Sequence, residues 1–120
     1  MNSNPVVIGI TGASGVIIAS HLVDEVLSKK IPVVLTASSA SRLVWNDEME
    51  ESFGEALERW QDSGKFKFYN PGELSAPIAS GTFPTRGMAI IPCSMATTSA
   101  ISSGLSDNLL RRAADVTLKE

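Results

Sequence analysis

Small hydroxyl side chains and glycines gather at three places, and each place directly follows an apolar run. The first is the turn at residues 9–15, of sequence GITGASG, which separates an apolar run from a helical pattern. Glycines let the backbone of such a turn approach a phosphate, and the N-terminus of the following helix attracts an anion. The spacing GxxGxxG differs from the dinucleotide fingerprint GxGxxG, and the Lys-Ser/Thr pair of an ATP-binding P-loop is absent. The turn predicts an anion or cofactor site, with a tight turn that binds nothing as the alternative.

Two further turns carry the same kinds of residue. Residues 36–41 read TASSAS and residues 92–98 read PCSMATT, and both follow apolar runs. The carboxyl ends of parallel strands meet at one edge of a sheet, where open α/β folds bind ligands. The three turns therefore predict one crevice, although Ser38 is explained equally well as a helix N-cap.

Nucleophilic and metal-dependent chemistry find little support in the sequence. Cys93 lies in the third turn, but no histidine near it would activate the thiol. His21 is the single histidine and falls inside the first predicted helix, which favours a structural or surface role. CxxC and HExxH spacings are absent, so we predict no metal site.

A basic helical segment near the C-terminus offers a second anion site. Arg112 and Lys119 are seven residues apart, or two helical turns, so they fall on nearly one face and would together hold a phosphate. Arg111 and Asp115 have the i, i+4 spacing of a surface ion pair. A solvated charged helix is the simpler interpretation of this spacing alone.

The hydrophobic pattern predicts the elements that position these residues. Apolar runs at residues 6–10, 32–36 and 88–93 are continuous rather than alternating, as in parallel strands buried on both faces. Helical spacing covers residues 16–27 and 107–118. A strand, a glycine turn, a helix and a second strand make a right-handed βαβ unit. These patterns predict an α/β fold with a parallel sheet.

The middle of the chain is less regular. A second helix is expected to start at residues 38–45, and the acidic residues 47–62 suit a solvated helix that docks by one apolar edge. Residues 66–69 alternate as a short edge strand does, and residues 70–86 are rich in proline and glycine, as in a loop. No repeat or linker divides the chain, so we expect a single domain over residues 1–120.

The composition limits the classes of protein to which this chain could belong. Hydrophobic residues make up 43% and charged residues 19%, as in ordinary globular chains. Ten basic against thirteen acidic residues give a net charge of −3, which argues against a general nucleic-acid binder. The single cysteine excludes an internal disulfide and favours the cytoplasm. No apolar run is long enough to span a membrane, and no signal peptide is expected.

Four segments occur in a particular order along the chain. They are GITGASG at residues 9–15, SGTF at 80–83, GMAIIPCSM at 87–95 and NLLRRAADVTLKE at 108–120. Together they resemble the UbiX-type flavin prenyltransferases, from near residue 6 to the last residue. The closing segment is specific to that family, whereas the glycine turn alone is not.

The resemblance implies a flavodoxin-like Rossmann fold, a three-layer sandwich that binds FMN. It implies transfer of a dimethylallyl group from dimethylallyl monophosphate to reduced FMN, with new bonds at flavin N5 and C6 and without a metal. The prenylated flavin would serve a UbiD-type partner decarboxylase of the ubiquinone or aromatic-acid type. Family members form homo-oligomers, dodecamers built from trimers. Their chains continue beyond the Lys-Glu of the closing segment, so the 120 residues are expected to form the N-terminal part of a longer domain.

The resemblance also assigns roles to particular residues. It implies flavin binding by eight residues of the three turns: Gly12, Ala13, Ser14, Ser38, Ser94, Met95, Ala96 and Thr97. It implies binding of the prenyl phosphate by Ser80, Gly81, Arg112 and Lys119. Ser14 and Glu48 take the catalytic positions, with Glu48 assisting proton movement around the flavin. A solvated surface acid is the alternative for Glu48.

Two other functions stay open at this point. One is a flavoprotein of the cysteine-decarboxylase type, which uses a histidine in the first helix and an asparagine motif after the third strand. His21 fits that pattern, but Pro-Cys-Ser-Met replaces the asparagine motif. The other is a non-catalytic FMN-binding subunit.

Overall fold

Four parallel strands form the centre of the fold, which a computed structural model describes for residues 3–119. They are β1 (Val6–Ile10), β2 (Val33–Ala37), β3 (Phe66–Tyr69) and β4 (Gly87–Ile90). Their order across the sheet is β3-β2-β1-β4, so the chain turns back to the other side of β1 after β3. This order is the first part of the doubly wound arrangement 3-2-1-4-5-6, in which ligands bind where the direction reverses.

Helices cover both faces of this sheet. Five are present among the described residues: α1 (Val16–Ser28), α2 (Ser39–Glu48), α3 (Phe53–Gln61), α4 (Met95–Ser102) and α5 (Leu109–Lys119). The first three pack on one face, through a core that includes Ile8, Ile10 and Leu35 of the strands. The opposite face packs through Val7 and Val34 against α5 and a short 3₁₀ turn, Pro77–Ala79. The result is a three-layer α/β sandwich, and the predicted flavodoxin-like Rossmann architecture is confirmed.

α5 packs close to the sheet because Gly9, the residue of β1 beneath it, has no side chain. A Cβ built on Gly9 would lie 2.9 Å from Cδ1 of Leu110, so a side chain there would push the helix away. Leu109, Leu110 and Ala113 are all buried on this face. The carboxyl end of β1 therefore lies directly beneath the N-terminal turn of α5.

An aromatic cluster fixes α2 and α3 to the other face. Trp45 stacks edge-on against Phe53 and Trp60, with ring centroids 5.2 and 6.1 Å apart, and Trp60 contacts Phe66. Both indole N–H groups have acceptors: Trp45 donates to the carbonyl of Glu51 and Trp60 to Asp24, each at 2.8 Å. The predicted docked face of the acidic segment is confirmed, and this packing holds the C-terminal end of α2 in place.

Arg59 extends this anchoring to α1. Its guanidinium donates to both carboxylate oxygens of Glu51, at 3.0 and 2.9 Å, and to Asp24 at 2.6 Å. One arginine thus joins α3, α1 and the segment that follows α2. Bidentate pairing of this kind adds geometric specificity that a single surface ion pair lacks.

The secondary structure agrees with most of the sequence predictions and differs at three places. The acidic segment 47–62 is not one helix, because α2 ends at Glu48 and α3 begins at Phe53. The strands predicted at residues 6–10 and 66–69 are present as β1 and β3. The strand predicted over residues 88–93 is shorter, because β4 ends at Ile90 and the next residues turn toward β1, where Thr11 donates to the carbonyl of Pro92. The polar turn predicted over residues 92–98 is partly helical, because Ser94 caps α4, which begins at Met95.

The predicted ion pair between Arg111 and Asp115 is also wrong. Arg111 turns toward the N-terminus of its own helix and donates to Asp107 at 2.9 Å. Asp115 pairs instead with Lys119 at 3.1 Å and lies 3.9 Å from Arg112. Lys119 and Arg112 do share one carboxylate, as their spacing on one helical face predicts.

The helices of residues 3–119 include none with the length and apolar character that crossing a membrane requires.

Candidate functional site

A cavity of about 320 Å³ lies at the carboxyl edge of the sheet, beside the point where the strand order reverses. Segments that follow all four strands contribute to it, together with the N-terminal part of α5. Its lining is Thr11, Gly12, Ser38, Ala40, Pro71, Ser94, Ala96, Thr97, Asn108, Leu110 and Arg111. We call it the carboxyl-edge cavity. The single crevice expected from the three polar turns is therefore present.

Thr11 connects two walls of this cavity by hydrogen bonds. Its hydroxyl donates to the carbonyl of Pro92 and accepts from the backbone N–H of Ser94, both at 2.7 Å. Thr11 is 2% exposed. This hydroxyl therefore joins the turn after β1 to the turn after β4.

Three helices begin at the cavity wall. Ser38 caps α2 by accepting from the N–H of Ser41, and Ser94 caps α4 by accepting from Thr97, both at 3.2 Å. Asn108 accepts from the N–H of Arg111 at 2.8 Å and so caps α5. The first N–H groups of a helix have no partner within it, and each helix N-terminus carries roughly half a positive charge. The carboxyl-edge cavity is therefore suited to an anionic group.

The N-terminus of α1 has a different partner, which is the carboxylate of Glu48. Glu48 accepts from the hydroxyl of Ser14 at 2.8 Å and from the N–H of Gly15 at 3.0 Å. These residues lie 34 and 33 positions apart in the chain, and the end of α2 brings them together. The sequence predicts an anion or cofactor site at the glycine turn, and the helix N-terminus there already holds a carboxylate of the protein itself.

These contacts keep Glu48 ionised. The N–H of Gly15 first, and then the Ser14 hydroxyl and the N–H of Val16, lower the pKa of the Glu48 carboxyl from its usual 4.5. The carboxylate is therefore ionised at neutral pH, with a serine hydroxyl in direct contact with it.

The stability that Glu48 provides should depend on pH in a defined way. A carboxyl whose pKa is lowered by folding contributes stability above its unfolded pKa and loses it as the pH falls through the folded value. We expect the melting temperature of the native chain to exceed that of a Glu48→Gln variant by a constant amount at pH 6–7. The difference should shrink below about pH 4.5. Thermal unfolding followed by circular dichroism measures this, and a difference that grew on acidification would contradict the assignment.

The structure brings five of the eight predicted flavin residues into the carboxyl-edge cavity. They are Gly12, Ser38, Ser94, Ala96 and Thr97. Ala13 and Ser14 lie farther along the same turn, and Ser14 faces Glu48. Met95 is the first residue of α4, between the lining residues Ser94 and Ala96, but it is 83% exposed. Sequence reasoning missed Pro71, Asn108, Leu110 and Arg111 as lining residues.

The predicted prenyl phosphate residues lie elsewhere. Ser80 and Gly81 line a second cavity, also about 320 Å³, beside the amino ends of β1 and β4. Arg112 is near them, because its Nε donates to the carbonyl of Ala79 at 3.0 Å. Lys119, at the end of α5, and Arg112 both lie near the carboxylate of Asp115. Within one chain, the predicted flavin residues and the predicted prenyl phosphate residues therefore do not line the same cavity.

The carboxyl-edge cavity fits a cofactor such as FMN. Three capped helix N-termini and one cation suit a phosphate, while Ala40, Pro71 and Leu110 give an apolar wall for a ring. Helix N-termini are common phosphate sites in proteins.

Other potential reactive groups stand apart from a catalytic arrangement. Cys93 is exposed, and its Sγ lies 3.2 Å from the Thr98 hydroxyl. His21 is exposed on α1. Residues 3–119 contain no group of three or more His, Cys, Asp or Glu side chains placed to hold a metal ion.

Curated relatives match almost the whole chain. A flavin prenyltransferase UbiX from Archaeoglobus fulgidus is 40% identical over 114 residues, which cover 95% of this chain and 60% of the relative. Another from Chlamydia pneumoniae is 41% identical over 95% of this chain and 59% of its own length. The chain thus spans about three fifths of the length of the curated relatives it matches.

Solved structures share the fold. AnUbiX, crystallised in complex with FMN and dimethylallyl pyrophosphate, superposes with a TM-score of 0.91 at 29% identity, covering 99% of this chain and 61% of its own. A dodecameric FMN-dependent UbiX-like decarboxylase from Escherichia coli gives a TM-score of 0.88 at 33% identity, with 97% and 61% covered. The cypemycin decarboxylase CypD, at 10% identity and a TM-score of 0.71, shares the fold alone.

A family model described as Flavoprotein matches residues 1–120. The sheet order, the cavity where that order reverses, and the motifs of the three turns agree with this match. The chain therefore belongs to the Flavoprotein family.

Proposed function

We propose that this protein is a flavin prenyltransferase that joins the dimethylallyl group of dimethylallyl monophosphate to reduced FMN. The observation that carries the proposal is the carboxyl-edge cavity, with three capped helix N-termini and the Ser14–Glu48 pair on the adjoining turn. The similarity to curated flavin prenyltransferases, at 40 and 41% identity, supports this reaction rather than another flavin chemistry.

FMN supplies the nucleophilic N5 and C6 atoms that receive the prenyl group. This chain's residues would hold FMN through the predicted flavin set: Gly12, Ala13, Ser14, Ser38, Ser94, Met95, Ala96 and Thr97. The helix N-termini and serine hydroxyls orient its polar groups, and the apolar wall excludes water from one side. Orientation of the two reactants then supplies a large part of the rate.

Ser14 and Glu48 would move the protons of the reaction. Breaking the allylic C–O bond releases phosphate, and bonds to N5 and C6 replace two hydrogens of the reduced flavin. One hydrogen leaves as a proton with the phosphate, and the other is passed to the prenyl double bond. The ionised Glu48 is placed to accept a proton through Ser14 and return it, because the two side chains are hydrogen bonded at 2.8 Å.

The prenyl phosphate would be held by Ser80, Gly81, Arg112 and Lys119. Cationic side chains stabilise the charge that develops on a departing phosphate. Because these residues lie away from the carboxyl-edge cavity of their own chain, we infer that the site is completed between subunits of a homo-oligomer, a dodecamer. Large apolar side chains exposed on α1, α2 and α4 support such contacts: Ile17, Ile18, Leu43 and Met95 are each more than half exposed.

The chemistry of the product indicates which kind of enzyme would receive it. A prenylated flavin is useful only to an enzyme that employs it as a cofactor, so we propose a UbiD-type decarboxylase as the recipient, in ubiquinone or aromatic-acid metabolism. A cytoplasmic location suits the single free cysteine.

One assay tests the reaction directly. The full chain is incubated anaerobically with reduced FMN and dimethylallyl monophosphate, and the protein-bound flavin is analysed by mass spectrometry. We expect the flavin mass to increase by one C₅H₈ unit. Bound FMN without this increase would overturn prenyl transfer and favour a non-catalytic FMN-binding subunit, and a chain that takes up no FMN would overturn flavin binding itself.

A further inference from the structure

Arg111 is the one charged side chain in the lining of the carboxyl-edge cavity, among residues 3–119. It follows Asn108 in the first turn of α5, and the Asn108 cap fixes the backbone at this point. No acidic side chain lines the cavity. The charge of Arg111 therefore adds to the positive ends of α2, α4 and α5 without a neutralising partner inside the cavity.

The guanidinium of Arg111 is incompletely satisfied. Its side chain is 18% exposed, and Nη1 donates to Asp107, whose own side chain is 55% exposed at the rim. The Nε–H is buried and has no acceptor. A buried donor without a partner is costly, and in native proteins it commonly marks a place where a ligand or water supplies the acceptor.

We propose that Arg111 binds the phosphate group of FMN in the carboxyl-edge cavity. A modest rotation of the side chain toward the cavity would bring the Nε–H out of its buried position. The planar guanidinium then presents two parallel N–H groups to a phosphate, which a lysine in the same place cannot do. The inference rests on the FMN binding of the proposed function, and it assigns a role to the arginine that precedes Arg112 in the family-like segment.

Comparing the binding of FMN with that of riboflavin distinguishes the contribution of the phosphate to affinity from the contribution of the ring. Both can be followed through their fluorescence with the full chain, in the absence of prenyl phosphate. We expect Arg111→Gln to weaken FMN binding about 10- to 100-fold and to leave riboflavin binding unchanged, because riboflavin has no phosphate. Arg111→Lys should fall between the native chain and Arg111→Gln. Lys67→Gln, which removes one exposed positive charge from β3, is the matched control and should bind FMN like the native chain.

Thermal stability supplies the second readout. Without FMN, Arg111→Gln should melt close to the native temperature, because it removes an unpaired buried donor together with the hydrogen bond from Nη1 to the exposed Asp107. A clearly lower melting temperature of the FMN-free variant would show a structural role and overturn the inference. Unchanged FMN affinity, or an equal loss for FMN and riboflavin, would overturn it as well. Failure of the native chain to bind FMN would instead overturn the proposed function, and this inference with it.

Discussion

Replacing Glu48 by glutamine should reduce prenylated flavin formation by about two to four orders of magnitude, the range typical of a general acid–base group. The amide oxygen of glutamine can accept from the N–H of Gly15 while its NH₂ group donates to the Ser14 hydroxyl, so the turn keeps its shape. It cannot take up a proton as a carboxylate does. Anaerobic single-turnover experiments, sampled for flavin mass, measure the rate.

Two comparisons separate catalysis from binding in this variant. FMN affinity should change by less than about threefold, because Glu48 contacts the glycine turn and is not part of the cavity lining. Glu50→Gln makes the same chemical change two residues later, at an exposed position, and should prenylate FMN at the native rate. A Glu48→Gln chain as fast as the native one would remove this residue from the chemistry.

Adding one methyl group at Gly12 should damage both stability and FMN binding. A Cβ at this position would lie 2.6 Å from Cβ of Ala40 and 3.2 Å from its backbone carbonyl carbon. Neither atom can rotate away, so the first turn of α2 must move and carry the Ser38 cap with it. We expect Gly12→Ala to lower the free energy of unfolding by about 1–3 kcal/mol, as overpacking usually does. FMN binding should weaken at least tenfold, since Ser38 and Ala40 both line the cavity.

Urea unfolding and FMN fluorescence titration measure these two effects. Gly54→Ala is the control, because a Cβ there has the Ser52 hydroxyl, at 4.0 Å, as its one neighbour within contact range. That position is in α3, where alanine is the better helix former, so this variant should be as stable as the native chain or more so. Gly12→Ala with native stability and native FMN affinity would show that α2 adapts to the methyl group.

Much of this fold could be predicted from the sequence because strands buried on both faces of a parallel sheet are apolar at consecutive residues. Continuous apolar runs predicted β1 and β2, and their common edge predicted the place of the cavity. α4 escaped prediction because its sequence MATTSAIS is rich in small and hydroxyl residues, which are ambiguous in helices. Its formation depends on the Ser94 cap and on burial of Thr97 and Ala100, which are tertiary effects.

The details of the site depend on contacts that spacing does not encode. The resemblance pointed to Ser14 and Glu48 separately, but their hydrogen bond exists because aromatic packing sets the end of α2 beside the glycine turn. Likewise, the spacing of Arg111 and Arg112 did not indicate which of them lines the cavity. The phase of α5, fixed by burial of Leu109 and Leu110, directs Arg111 to the cavity and Arg112 to the carbonyl of Ala79.

The place of β1 between β2 and β4 also shapes the route to the native state. Val6 pairs with Val33 on one side and with Gly87 on the other, and the Ser94–Thr11 contact closes a loop of 83 residues. Contacts so distant in sequence are slow to form, whereas the β1–α1–β2 pairing is local. The carboxyl-edge cavity is complete only when the turn after β4 has docked against the turn after β1. A bound cofactor would then draw the folding equilibrium forward by mass action, so cofactor supply would help to decide how much native protein accumulates.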